Sequence, residues 1–436
     1  MMRIFPGLVI IGYTAICCAL GGMWHGGGTD ATVSLEPPRH MVVVTPPHEY
    51  ATSRLTPFGP GYDRELLQEF CRIHGYRVTL REAQNRDEAL ALLQQGEADL
   101  AMGFGGDVAP PAGVAAGPDY YHAIHVTALL PASSVRHEGS PTEGIRHWLD
   151  RRSWRLWEPF APLSKVVERE ALGERRVNYH WLWRTTPTAM HLDLQGFWAD
   201  LLSPENQLLN ELEELYYGYL PRTANPDMAV DMLMLVEERL PRYRDMIINA
   251  SRKVGIDPVL FTAVVIQESR LNEGTVSHTG VRGIMQLTSR TAAFLRVDRM
   301  DPKASLEAGA RYLHMLWKQL EPLQLDDWDR WFFTLAAFNQ GPRRLEGAME
   351  LARKLGGSGR TWAELKKVYP LLSQKKYADM IGQSTCRGAE AVTFVARVRW
   401  SYHFLHGLLV LGWPEAENLA PLLGDVDFRT FRRRPL

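Results

Sequence analysis

Cysteine is scarce in this sequence, with four in 436 residues, and two of those, Cys17 and Cys18, lie within the first twenty positions. No CxxC pair and no Cys/His cluster suggests a metal site, so no metal and no cofactor are expected. Cys71 and Cys386 fall in segments that read as separate domains, and free, buried thiols are expected rather than a disulfide. An excess of charge is equally missing. Lys and Arg number 49 against 50 Asp and Glu, for a net charge of -1, which gives no electrostatic case for nucleic acid as a partner. There is no internal repeat. Long uncharged apolar runs are confined to the start.

That start is distinct. Arg3 precedes "IFPGLVIIGYTAICCAL", residues 4 to 20, which carries no charge. The first 24 residues therefore read as a signal peptide or membrane anchor, with export as the common consequence. "TAIC" has Thr14 and Ile16 where a lipoprotein signal has a leucine and a small residue, so lipidation is not expected. Residues 25–40 form a polar linker containing Pro37 and Pro38.

From 41 to 220 the chain alternates strand and helix. "MVVVTPP" is a β-branched run stopped by prolines. Leu66, Leu67, Phe70 and Ile73 recur at helical spacing before Gly75, and "YRVTL" follows as a strand. A second round runs through "NRDEALALLQQG" into "ADLAMGF". Such alternation predicts an α/β domain. Between 140 and 195 the sequence is rich in Trp and Arg without a clean period, and 195–220 reads as helix with Glu205, Glu211, Glu213 and Glu214 on its solvated face. "PRTANPDM", 221–228, marks a boundary, beyond which residues 228–410 are almost wholly helical. Residues 411–436 are a basic, aromatic tail.

One residue in the helical half stands out. Asp257 and Pro258 give a helix start, and Val259 to Ile266 then cover nearly every face with apolar side chains, which implies burial. Glu268 follows in the last turn. There the helix dipole opposes a negative charge and apolar surroundings withhold water, and both raise a carboxyl pKa. A protonated carboxyl suits donation to a leaving oxygen. The plainer reading is a helix that surfaces at Gln267. Further on come "GVRGIMQLT", with Gly280, Gly283, Met285 and Gln286, and "LAAFNQG", with Phe338, Asn339 and Gly341. Taken singly, Met285 reads as core, Asn339 as a cap, and Ser269 as a hydroxyl bonded to its own helix.

The order Glu268-Ser269, GxxGxMQLT, AFNxG and "EAVTFVARVRWSY" resembles the lysozyme-like domain of soluble-type lytic transglycosylases, which cleave peptidoglycan glycan strands. "YPLLSQKKY", 369–377, is similar to one subgroup, the membrane-bound lytic murein transglycosylases F, in which a family 3 solute-binding-like domain precedes the catalytic one. The resemblance implies an α/β periplasmic-binding-protein-like N-terminal domain, its second lobe degenerate, and a mainly α lysozyme-like C-terminal domain. It makes Glu268 the catalytic acid and base, with Ser269, Gly283, Met285, Gln286, Phe338, Asn339 and Phe394 lining the substrate cleft and Gln286 donating to an acetamido group. It also implies a periplasmic location with membrane association, at the outer membrane.

Two departures stand beside it. Phe338 and Phe394 occupy positions where the family has tyrosine, which leaves a drier pocket. The "GGDVAPPAGVAAGP" stretch lacks the threonine and arginine that hold an amino acid in solute-binding relatives, so a cell-wall peptide, a protein partner or no small ligand is expected for the N-terminal domain. Three other readings remain at this point. They are a cleft that holds glycan without turnover, a solute receptor with an appended helical domain, and a lysozyme-type hydrolase that uses water.

Overall fold

The computed structural model describes residues 39–45, 56–83, 85–105, 109–127, 173–186, 188–218, 232, 235–277, 280–410 and 422. The expected signal or anchor, the linker up to residue 38, the 221–228 boundary and nearly all of the 411–436 tail lie outside them, and the first strand starts at Arg39, within the expected linker. Residues His40–Leu436 form one compact unit.

Its N-terminal part is a sheet of six strands: β1 (Arg39–Thr45), β2 (Tyr76–Glu82), β3 (Leu100–Gly105), β4 (Val114–Ala116), β5 (Tyr121–Thr127) and β6 (Gly173–Arg184). The order is β2-β1-β3-β6-β4, and β5 also pairs with β6. β1 and β3 are parallel, with α1, β2 and α2 between them in the chain supplying the crossover that a parallel pair needs. Helices α1 (Tyr62–His74) and α2 (Arg86–Gln95) make the connections, each ended by a left-handed glycine, Gly75 and Gly96. The α/β expectation holds in these elements, apart from Ile73, which is 49% exposed instead of facing the core.

The expected irregularity from 140 to 195 is corrected over its later part, since residues 128–172 lie outside the described residues. β6 runs for twelve residues and pairs antiparallel with β3, β4 and β5. Tyr179, Trp181 and Trp183 enter the main core while Leu182 enters the smaller cluster on the α2 side. Val177, Tyr179, Trp181 and Trp183 alternate with Asn178, His180 and Arg184, a strand period of two that the surrounding Trp- and Arg-rich sequence obscured. The single helix expected over 195–220 is two, α3 (Ala189–Leu201) and α4 (Leu208–Tyr217), separated at Ser203 and Pro204. Glu205, Glu211, Glu213 and Glu214 are exposed as expected.

The helical part comprises α5 (Leu240–Lys253), α6 (Pro258–Ser269), α7 (Ser289–Leu295), α8 (Pro302–Gln319), α9 (Asp327–Gln340), α10 (Pro342–Lys354), α11 (Trp362–Val368), α12 (Lys375–Met380) and α13 (Gly388–Val410). α13 packs against both α6 and α9. The main core is continuous from Met41 in β1 to Leu405 in α13. Phe58 joins the parts, with its ring centroid 5.4 Å from Phe332 and 5.3 Å from Tyr402. The buried Arg399 guanidinium lies over Phe58 and Phe332 and donates to the carbonyls of Leu215 and Tyr216. Cys71 and Cys386 are free and half-buried.

Candidate active site

α6 forms for the reasons its sequence gives. The Asp257 carboxylate accepts from the Val259 N–H at 2.8 Å, Pro258 occupies the first turn, and every residue from Pro258 to Ile266 is buried. Burying an all-apolar helix is favourable by roughly 25 cal/mol for each Å² removed from water, so this helix is fixed in the core from all sides. Glu268 rides on that fixed element. It is half-buried, and burial alone pushes its carboxyl from 4.5 up to about 8. No neighbouring carboxylate adds to the rise. Among the described residues nothing hydrogen-bonds or ion-pairs with this carboxyl.

The chain leaves α6 through two successive left-handed residues, Arg270 (φ 54°) and Leu271 (φ 55°). A loop then returns to the Gly283–Gln286 turn. Gly283 (φ +83°) is required there, because a Cβ would stand 2.0 Å from the Arg299 carbonyl oxygen. Gln286 spends both amide hydrogens within the protein, on the carbonyls of Thr275 at 2.9 Å and Gly283 at 2.8 Å. The expected donation from Gln286 to an acetamido group is therefore corrected: only its Oε1 is left, and that accepts. Met285 is core, 1% exposed, and fits because Gly309 leaves room for it. Ser269 is buried and its hydroxyl donates back to the Val265 carbonyl at 3.4 Å, the plainer of its two readings.

A second group comes from α9 and α13. Phe338 and Phe394 stack at 6.4 Å with 19° between planes. Tyr312 of α8, which sequence reasoning missed, stands 5.7 Å from Phe338 and extends the row. Only its place among otherwise apolar positions of α8 could have signalled it. Half-buried Asn339 accepts from the Gln340 amide at 2.9 Å, and its own amide hydrogens have no partner among the described residues. The structure thus links Ser269, Gly283 and Gln286 through one loop, brings Phe338 to Phe394, and leaves Met285 beneath. A cavity of about 260 Å³ lined by Ile266, Gln267, Arg270 and Trp400 lies elsewhere. Glu268 is not among the residues that line it.

The described residues thus offer a carboxyl kept protonated by burial, half-buried aromatic surface at Phe338 and Tyr312 over the buried Phe394, and an uncommitted amide donor at Asn339. Residues 245–358 match the family model described as Transglycosylase SLT domain. Over 391 residues the chain is 29% identical to a protein named membrane-bound lytic murein transglycosylase F in Nitrosospira multiformis, covering 79% of this chain and 81% of that one. Proteins of the same name in Haemophilus influenzae and Ectopseudomonas mendocina are 35% and 38% identical, over 51% and 52% of this chain. The match spans under half of each of these two, 45% and 47%. Solved structures of solute-binding proteins also match part of the chain at low identity. A putative L-cystine ABC transporter from Listeria monocytogenes matches at 13% identity over 43% of this chain and 99% of its own, TM-score 0.32. The GluR0 ligand-binding core from Nostoc punctiforme matches at 10% over 41% and 99%, TM-score 0.30. Likenesses at this level say nothing of a ligand, and the α/β character stands on the sheet itself. Over residues 245–358 the chain thus matches the transglycosylase SLT domain, and over a longer stretch it is similar to proteins named membrane-bound lytic murein transglycosylase F.

Proposed function

We propose that this chain is a peptidoglycan lytic transglycosylase that cleaves the β-1,4 bond between N-acetylmuramic acid and N-acetylglucosamine, with Glu268 as its single acid and base. The observation that carries this is the Glu268 carboxyl at the buried end of α6, pushed to about 8 by burial, with no carboxylate among the described residues adding to the rise. Glycosidases that use water or a protein nucleophile place a second carboxylate across the bond. A lone carboxyl suffices when the nucleophile belongs to the substrate. At neutral pH Glu268 holds its proton and gives it to the glycosidic oxygen as the bond from the muramic acid C1 breaks. The carboxylate left behind takes the proton of the same sugar's 6-hydroxyl, whose oxygen closes on C1. A 1,6-anhydro ring forms, no water is consumed, and the acid is restored.

Surrounding groups support the reading. Asn339 has amide hydrogens to offer, and half-buried Phe338 and Tyr312 offer apolar surface backed by the buried Phe394. Residues 228–410 would carry the chemistry and 41–220 an accessory role. The apolar run at residues 4–20 and the names of the relatives support a periplasmic, membrane-associated location. No helix among the described residues is long and apolar enough to cross a membrane.

Phe394 favours a second reading, a cleft that retains glycan without turnover, because a phenyl ring removes a polar hold that the family's tyrosine would give. One experiment separates the two: mass spectrometry of fragments released from purified peptidoglycan by the full chain and by Glu268→Gln. Muropeptides ending in 1,6-anhydro-N-acetylmuramic acid from the parent alone support turnover. Reducing ends would make it a hydrolase. Release by neither, with both sedimenting on the glycan, would leave a binding protein.

A further inference from the structure

Five non-glycine residues among those described adopt left-handed backbone: Arg270, Leu271, Gln286, Arg296 and Gln324. Arg270, Arg296 and Gln324 each cap the end of a helix, but only at Arg270 does a second left-handed residue, Leu271, follow. Arg270, Leu271 and Gln286 surround the exit of α6, within a few residues of Glu268 or across the turn that faces it. Side chains with a β-carbon resist this conformation, so it persists only where neighbouring contacts impose it. Leu271 is 1% exposed and anchors the exit in the core, while Arg239 Nη1 donates to the Arg270 carbonyl at 3.0 Å.

The remaining contacts converge on one residue. Thr275 donates its hydroxyl to the Ser269 carbonyl at 3.2 Å. Its N–H reaches the Asn272 carbonyl at 3.2 Å, and its own carbonyl accepts from Gly283 N–H at 3.2 Å and Gln286 Nε2 at 2.9 Å. Gly283 in turn is wedged against the Arg299 carbonyl. The last residue of α6, the loop and the glycine turn are thereby tied together through a single half-buried threonine. Without that hydroxyl, the Ser269 carbonyl keeps the Asn272 N–H at 3.2 Å as its one partner, and the tie from the end of α6 to the glycine turn through Thr275 is cut.

We infer that Thr275 is a positioning residue for Glu268, its hydroxyl fixing the left-handed exit of α6 and, through it, the place of the carboxyl. Thr275 does not touch the reacting atoms and acts only through the backbone of Ser269. The kinetic side of this inference rests on the transglycosylase reading; the structural side does not. A displaced acid loses turnover more than binding, and a loosened exit admits water to the carboxyl.

The experiment uses the full chain as wild type, Thr275→Val, which keeps the shape and removes the hydroxyl, and Thr275→Ser, which keeps the hydroxyl. Thermal melting confirms that each is folded. Release of muropeptides should show Thr275→Val losing kcat by roughly tenfold to a hundredfold with KM within about twofold of wild type. Thr275→Ser should recover most of that loss. In parallel, the side-chain carboxyl resonance of Glu268 is titrated in protein labelled with 13C at that carbon and assigned by its disappearance in Glu268→Gln. Its midpoint should fall by about one pH unit or more in Thr275→Val and stay at the wild-type value in Thr275→Ser. A Thr275→Val protein with wild-type kcat and wild-type titration overturns the inference, as does a Thr275→Ser protein as impaired as Thr275→Val. If the wild type releases no fragments, the proposed function fails, and the titration alone then decides whether Thr275 positions Glu268.

Discussion

Replacing Glu268 by Gln should make the protein more stable at alkaline pH while abolishing its chemistry. Gln keeps the shape of the side chain and removes the charge that burial disfavours. In the folded chain the carboxyl is raised from 4.5 to about 8. The folded state therefore holds a proton that the unfolded state has released across that window. Stability from this group is fully present below about pH 4.5 and is lost as pH rises through about 8. A shift of that size corresponds to about 5 kcal/mol. Glu268 is only half-buried by its surface, so solvent screens part of this, and a realised change of about 2 to 3 kcal/mol is expected. Urea unfolding of wild type and Glu268→Gln at pH 5 and pH 9 measures it, since all other titrating groups cancel in the comparison. The stability difference between the two proteins should grow by that amount in favour of Gln at pH 9, while glycan cleavage by the variant drops by roughly a hundredfold to ten-thousandfold. A difference that is the same at both pH values would refute the claim that this carboxyl is kept protonated by burial.

Three further outcomes follow from other contacts. Arg399→Met should cost about 2 to 4 kcal/mol in denaturant unfolding, because the Leu215 and Tyr216 carbonyls lose their donor and Phe58 and Phe332 lose the guanidinium over them; Arg399→Lys should restore little. Gly283→Ala should destabilise by about 3 kcal/mol or more and lower the melting temperature, since its Cβ would meet the Arg299 carbonyl at 2.0 Å in a left-handed backbone. The buried Asp329 carboxyl is raised from 3.8 to about 7 by burial, offset by the Trp362 N–H and reinforced by neighbouring acids. Its contribution is lost as pH rises through that window, so Asp329→Asn, which still accepts from Trp362, should be the more stable protein at pH 8 by on the order of 3 kcal/mol in urea.

Local signals in the sequence carried far. Asp257, Pro258 and the apolar run to Ile266 place α6 and its buried end without any knowledge of the rest. Gly75 and Gly96 stop α1 and α2 where they should. The strand β6 carried a local signal, Val177, Tyr179, Trp181 and Trp183 at every second position, which the irregular Trp- and Arg-rich stretch before it obscured. Gln286 shows the other limit. A glutamine beside a glycine turn reads as a free donor, and only the folded loop reveals that the Thr275 and Gly283 carbonyls consume both hydrogens. Thr275 itself carries no sequence signal, since a polar residue in a loop looks like any other. Nor does the sequence show Arg399 reaching α4, because a basic residue on a helix is ordinarily solvated.

The seam formed by Phe58, Arg399, Phe332 and Tyr402 bears on how this protein can be dissected. The proline-rich stretch at 221–228 invites a cut that would yield the helical half as a small, convenient catalyst. Such a fragment would present two bare aromatic faces and a guanidinium stripped of its acceptors, a surface suited to aggregation rather than to solution. Secretion, crystallisation and inhibitor screening are therefore better served by the joined halves. Swapping the front half for that of a relative would succeed only where the relative brings an aromatic ring and two free helix-end carbonyls to the same place.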